Sequence, residues 1–472
     1  MKDLEKSKII FLSRLKKYPT NKVAQAFSNL ERKCCDINGE KLYEIEYKIS
    51  KFQNQKLYMK PWLLPEIIYY STANNDYRRD EVTNKIVLEL YGLYQNYDMD
   101  RESEFLQNKL KDSNKSILNY LLYGISQQQF IYQKPHRYIN RFSRNYYLLK
   151  NAEIDGIHLE DLVKDKFEIS LKEYIDNLVL ISVISMKHII LNSPNVLTVV
   201  TNQEAYIKVI DYLSIDYYDC RNSKLEVDVF KTKPILYTQK GEYIVPSFCL
   251  MMYNLGDNLY WLFKDSFLGT TKFVVKFGDI FENYVYEILR KTFGGIVIKI
   301  TREKNKKSAD FYFESKKFIY IVEVKSGVAK LDSKTVTLNK KSFDDFIKNN
   351  VTDALEQIDN SAANHKNKTI IPIVVNFDLL YVEDALLSGI KDLYNPENYD
   401  VKHSILLGID DLENLLFSYK NIDDLDRLIK QSIDNGKEFG LQVYKLLEKI
   451  DGHKDYFYED LFNIDKTMLN DV

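Results

Sequence analysis

A chain of 472 residues is too long for one ordinary domain, and a hydrophobic share of 45% is normal for globular proteins, so two or three domains are expected. The formal net charge of −2 excludes neither nucleic acid nor small molecules as partners, because steering depends on where charge is placed. Between Lys299 and Lys341 twelve Lys or Arg stand against five Asp or Glu, which makes this window +7 and the remainder −9.

The four cysteines, Cys34, Cys35, Cys220 and Cys249, are spaced for neither a disulfide framework nor a Cys-based zinc site, and they fit a reducing, cytoplasmic setting. The N-terminus is charged from Lys2 onward. The longest apolar stretch, Leu178 to Met186, is broken by Lys187 and His188, so neither a signal peptide nor a membrane span is expected.

In chain order, residues 1–151 carry helical spacing without strand-like alternation and read as an all-helical domain. Helices are expected over Ile9 to Leu15, Lys22 to Cys34, Glu81 to Tyr94 and Glu104 to Tyr123. In the third, Val82, Ile86, Leu90 and Leu93 line up one apolar face. Pro61 and Pro65 bracket a break, and Asn74, Asn75 and Asp76 make a turn. Lys134, Pro135, His136, Arg137, Arg141 and Arg144, interleaved with Tyr132, Tyr138, Tyr146 and Tyr147, have the composition of a nucleic-acid contact. They equally suit a solvated helix face, which is the commoner use of such a cluster.

Residues 152–276 read as a mixed α/β region. A helix is expected over Ser170 to Met186, a short strand over Val196 to Val200, a small hairpin from Pro234–Tyr237 and Glu242–Val245, and then a further helix. The third region, 277–472, opens with a helix over Gly278 to Phe293, with Phe281, Val285, Ile288 and Leu289 inward. It continues with a strand over Ile296 to Ile300 and a basic loop, Arg302 to Lys307.

Next come two β-branched and aromatic runs, Ala309 to Phe313 and Phe318 to Val324, separated by a few polar residues, which predict an antiparallel hairpin. Glu323 and Lys325 share a face with Ile319 and Ile321, while Phe318, Tyr320, Val322 and Val324 take the other. Both faces are apolar, and charges on a strand buried on both sides are costly unless paired or bound to a metal. A symmetric turn pairing Phe313 with Phe318 puts Asp310 opposite Ile321 and diagonal to Glu323. A helix near Thr352 to Ala363, strands at Thr369 to Phe377 and Ser404 to Gly408, and terminal helices follow. Pro372 warns against a mid-sheet position for the first of those strands.

Glu-x-Lys alone carries little information, since Glu31 with Lys33, Glu46 with Lys48 and Glu314 with Lys316 repeat it. What distinguishes Glu323 and Lys325 is the acidic Asp310 on the partner strand, Gly327 shortly after, and a Glu-bearing helix upstream. This combination resembles the PD-(D/E)XK phosphodiesterase superfamily, the restriction-endonuclease-like fold, over about Phe277 to Gly408. The resemblance does not extend to the first 276 residues. It implies a C-terminal α/β domain with a central mixed sheet, in which Asp310, Glu323 and Lys325 are the motif residues, Glu282 the helix carboxylate and Gln357 the only candidate for a following-helix glutamine. Ala309 stands where the family name has Pro, and Ser361 stands four residues after Gln357, where such members often place Tyr.

The chemistry asks for the same residue types. Phosphodiester hydrolysis needs a cation to neutralise the phosphate and acidify a water. Hard Mg²⁺, with Mn²⁺ as substitute, takes oxygen ligands and keeps several waters, so Asp310, Glu323, Glu282 and the carbonyl of Val324 suffice. Lys325 is placed to hold the water or the scissile phosphate. The six histidines show no zinc spacing, and no Gly-x-x-x-x-Gly-Lys loop is present.

The expected function is a Mg²⁺-dependent endonuclease acting on DNA, gated by a partner or trigger through the front regions. The resemblance adds anti-phage defence or restriction as a role and leaves a symmetric dimer open. An RNA or structure-specific nuclease, and a non-catalytic nucleic-acid-binding or scaffold protein on the same fold, are the alternatives.

Overall fold

A computed structural model describes residues 2–34, 44–50, 53–109, 137–301, 307–334, 339–365, 367–378 and 394–434. The chain divides into two compact units. Among the described residues, one comprises those up to Tyr146 and Ile157–Leu262, the other Tyr147–Gly156 and those from Phe263 to Asp434. Among the described residues no helix is long and apolar enough to cross a membrane.

The first unit is mainly helical. Helices α1 (Lys2–Leu15), α2 (Thr20–Cys34), α3 (Leu63–Ser71) and α4 (Asn84–Lys109) pack α1 on α4 and α2 on α3. Phe11, Phe27, Ile67, Leu90 and Tyr94 are buried among them. Pro65 lies inside the first turn of α3, where a missing N–H costs nothing, rather than in the break before it.

The N-terminal region is not all-helical. Strands β1 (Glu44–Ser50) and β2 (Gln53–Tyr58) pair antiparallel, and the alternation of Ile45, Tyr47 and Ile49 with polar residues is the strand signal that helical spacing on either side obscured. The stretch Glu81 to Tyr94 and the start of Glu104 to Tyr123 fuse into α4, and residues 110–123 lie outside the described residues.

The two arginines of the basic-aromatic cluster whose burial is described do not lie on a solvated face, although Tyr147 beside them is exposed. Arg141 and Arg144 lie on α5 (Arg137–Leu149) at 1% and 0% exposure, and Arg141 is ion-paired with Asp257. Neither guanidinium is available to nucleic acid. Lys134, Pro135, His136 and Tyr132 lie outside the described residues.

Ser170 caps the helix Leu171–Lys187 through a capping box with Glu173, as the spacing predicts. The expected strand at Val196 to Val200 is instead a helical turn, Pro194–Leu197, because Pro194 at its first position presets the helical φ. The small hairpin forms, with Ile235–Tyr237 antiparallel to Tyr243–Ile244.

The second unit is built on a five-stranded mixed sheet. Its strands are β3 (Ile298–Lys299), β4 (Phe311–Glu314), β5 (Phe318–Lys325), β6 (Thr369–Asn376) and β7 (Ile405–Gly408), in spatial order β7-β6-β5-β4-β3. β4 runs antiparallel to both β3 and β5, and β6 and β7 run parallel to β5. β3 is shorter than the sequence suggests: Gly294–Ile296 forms a 3-10 turn, and an edge strand has one partner to hold it.

Pro372 sits inside β6, which has neighbours on both sides. However, β7 pairs only with Ile373 to Asn376, so the proline occupies the stretch flanked on one side alone.

Helix α6 (Lys272–Phe293) begins six residues before the expected Gly278. Phe273 and Phe277 extend the inward row of Phe281, Val285 and Ile288, and stacked rings at 5.6 Å and 6.4 Å join the first three. It packs on the sheet face of Phe311, Phe313 and Tyr320, through Tyr286 on Phe311 and Phe293 on Phe313. Helix α7 (Asp353–Ala362) takes the opposite face, where Tyr312 meets His365 and Lys325 meets Gln357. Two terminal helices, Ile409–Ser418 and Ile422–Asp434, follow, and residues 435–472 lie outside the described residues.

Candidate active site

The hairpin of β4 and β5 turns more tightly than the symmetric pairing assumes. Ser315 N–H donates to the carbonyl of Phe318 at 3.0 Å, and Ser315 Oγ accepts from the N–H groups of Lys317 and Phe318 at 3.1 and 2.9 Å. Lys316 and Lys317 therefore make the loop, and Phe313 pairs with Tyr320 instead of Phe318. The register moves by two residues, which keeps every side chain on its expected face. The paired stretch ends at Phe311 with Val322, so Asp310 is not opposite Ile321. Asp310 N–H donates to the carbonyl of Val322 at 3.1 Å, one residue out of step with that ladder, so Asp310 and Phe311 both lie against Val322 as in a β-bulge.

Both carboxylates are buried, Asp310 at 4% and Glu323 at 2% exposure. Asp310 Oδ2 accepts from Val324 N–H at 2.9 Å, and Lys325 Nζ pairs with Glu323 Oε1 at 2.8 Å. Lys325 Nζ also donates to Gln357 Oε1, whose amide Nε2 donates to the carbonyl of Ser308 at 3.2 Å. Gln357 is thus a tether between the lysine and the chain leading into β4. Ser361, one turn further along α7, accepts from Ala309 N–H at 2.9 Å and donates to the Gln357 carbonyl at 3.1 Å. This small hydroxyl, where the resemblance would have Tyr, pins the backbone before Asp310.

Asp310, Glu323, Val324, Lys325, Glu282 and Gln357 all line one open cleft of about 390 Å³. Glu282 reaches it from α6, ion-paired with Lys299 Nζ at 2.7 Å. The cleft also holds residues that the sequence did not single out. Asp279 and Gly278 come from α6, and Lys307 and Ser308 precede β4. Asp279 is one turn before Glu282 on the same helix, a spacing that could have found it. Nothing local marks Ser308. Of the basic loop, residues 302–306 lie outside the described residues, while Lys307 Nζ pairs with Glu356 at 3.1 Å.

Lys325 brings one positive charge to two buried carboxylates. Two carboxylates buried in one low-dielectric cleft are costly to keep ionised together. Lys325 carbonyl accepts from Phe377 N–H toward β6, while Val324 N–H turns to Asp310, so strand alternation aims the Val324 carbonyl toward the cleft as well.

Two carboxylates and one carbonyl suit a hard divalent cation that keeps most of its waters. Among the described residues no group of three or more His, Cys, Asp or Glu is placed to hold a metal ion, so Glu282 does not join Asp310 and Glu323 as a third carboxylate ligand. Carboxylate and carbonyl oxygens are hard donors, whereas Zn²⁺ favours nitrogen and sulfur. No family model matches the chain, and no curated protein or solved structure matches it either.

Proposed function

We propose that the protein is a metal-dependent nuclease that hydrolyses DNA phosphodiester bonds, with the second unit as a restriction-endonuclease-like domain. The observation carrying this reading is the convergence of Asp310, Glu323 and Lys325 in one open cleft, on a hairpin buried within a mixed sheet. A structural ion pair has no need of the second carboxylate, nor of the amide that fixes the lysine.

A bound divalent cation would neutralise phosphate charge and acidify a water. Asp310 and Glu323 are the side chains to hold it, with the carbonyl of Val324. Lys325 would give its donors to a non-bridging oxygen of the scissile phosphate or orient the attacking water, and charge developing on the phosphate strengthens that contact. Gln357 limits the excursions of Lys325, which shortens the search for the productive geometry. Glu282 and Asp279 offer further acceptors for water at the mouth of the cleft.

The test is incubation of the purified chain with plasmid DNA, linear DNA and RNA in Mg²⁺, Mn²⁺ and EDTA, beside Lys325→Ala. Metal-dependent cutting of DNA that the variant loses is the expected result. Cutting that persists in the variant removes the site assignment, preference for RNA transfers the reading to a ribonuclease, and inactivity of both proteins favours a nucleic-acid-binding module.

A further inference from the structure

A second cavity, of about 930 Å³, lies in the first unit, well within the size range of small-molecule sites. One wall is α2, which presents Lys22, Ala26, Asn29 and Lys33 at spacings of four, three and four, a single helical stripe. Its two lysines stand about 16 Å apart along the axis. The other wall is the loop of residues 76–83 with Arg78 and Arg79, and Lys240 closes one end from the turn of the small hairpin. None of these five cations forms an ion pair among the described residues; Lys22 contacts Gln25 Oε1 at 3.3 Å, and Lys240 lies 5.9 Å from the ring of Tyr77, which is 75% exposed.

The three segments are fastened beneath the groove by one buried carboxylate. Asp76, 3% exposed, accepts through Oδ1 from Asn21 N–H at 2.9 Å and from the Tyr217 hydroxyl at 2.8 Å. Its own N–H donates to Gln239 Oε1 at 3.2 Å. The clamp ties the loop to the first turn of α2 and to the turn that carries Lys240, so the cations are held at fixed separations before any ligand arrives.

The lining is mixed in sign. Asp80 and Glu81 add exposed acceptors to the lining, and Asn21 Oδ1 and Asp76 Oδ2, buried in its wall, have no donor among the described residues. A bare polyanion would be repelled by those oxygens, whereas a nucleobase supplies amino and ring N–H donors and its phosphates match the cations. We propose that this groove binds a nucleoside polyphosphate, with Arg78, Arg79, Lys22 and Lys33 on the phosphates and the exposed acceptors Asp80 and Glu81 toward the base. The proposal is independent of the nuclease reading, since it uses no residue of the second unit.

Isothermal titration in EDTA-containing buffer tests it, with ATP, GTP, CTP and UTP singly, and with sodium pyrophosphate and adenosine as the two halves of the ligand. Expected is saturable binding of at least one triphosphate, roughly tenfold or more tighter than pyrophosphate, and weakened roughly tenfold or more by Arg78→Glu with Arg79→Glu. Both arginines are exposed, so circular dichroism should show the doubly substituted chain folded; Lys325→Ala should bind as the unaltered protein does. Failure of all four triphosphates, equal affinity for pyrophosphate, or unchanged affinity after charge reversal in a folded variant would each overturn the proposal.

Discussion

Asp310 accepts through its carboxylate from the N–H of Val324, the neighbour of Glu323 on the adjoining strand, and the Asp310 and Glu323 carboxylates are almost fully buried in one cleft. Like charges so placed raise the energy of the folded state, and a site that tolerates them trades stability for chemistry.

Asp310→Asn should therefore separate the two. Its amide oxygen still accepts from Val324 N–H, while one of two neighbouring negative charges disappears. The midpoint of thermal unfolding in EDTA should rise, by about 0.5–2 kcal/mol of stability, while metal-dependent cutting falls at least about 100-fold. A fall in stability together with unchanged cutting would contradict both halves.

Gly327 is required by its neighbour rather than by its backbone. A Cβ there would lie 2.3 Å from Asn350 Oδ1 and 2.9 Å from Nδ2, and Asn350 is itself buried and bonded to the Phe346 carbonyl. Gly327→Ala should cost about 1–3 kcal/mol in urea unfolding, and Asn350→Ala in the same chain should recover part of that loss. Purely additive losses would refute the clash.

Lys334 and Asp378 form an ion pair with both side chains 1% exposed, at 2.7 Å, and Asp378 also accepts from Ala329 N–H. Lys334→Ala leaves a buried carboxylate without its cation and should cost about 3–5 kcal/mol. Replacing both residues by apolar ones of similar size should cost less than the single change. Equal losses from the single and double replacements would mean that the pair, not the stranded charge, matters.

Burial, ahead of its neighbours' charges, pushes the Cys220 thiol up to about 12, and it lies at 0% exposure. Only the thiolate reacts with alkylating agents, so the native chain at pH 8 should leave Cys220 unlabelled when the digest is read by mass spectrometry. Rapid labelling of Cys220 without denaturant would contradict its packing. The sign follows from the raised value: reactivity should grow as pH climbs toward it.

The site was legible because strand alternation fixes faces independently of register. Asp310, Glu323 and Lys325 line one cleft although the turn was misread by two residues, an even shift that leaves the alternation of each strand unchanged. The misreading came from Ser315, whose side chain caps a tighter turn than symmetry suggests. Gln357 and Glu282 were placed in the cleft by helices whose spacing was readable. The Lys299 partner of Glu282 and the Ser361 contact to Ala309 depend on tertiary packing that no short window encodes. Arg141 was misread for a related reason: its partner Asp257 is far along the chain, and an arginine beside tyrosines looks solvated until that acid is found.

The parallel pairing of Lys325 with Asn376 has a bearing on synthesis. The strand that carries Glu323 and Lys325 gains its second neighbour only after the crossover through α7, and that neighbour in turn waits for Ile405 to Gly408. A chain still being translated cannot assemble the cleft from the hairpin alone, because non-local pairing closes late and its loop entropy must be met first. If the cleft cuts nucleic acid, the order of emergence from the ribosome is itself a safeguard: the polypeptide stays harmless until most of its length has been made.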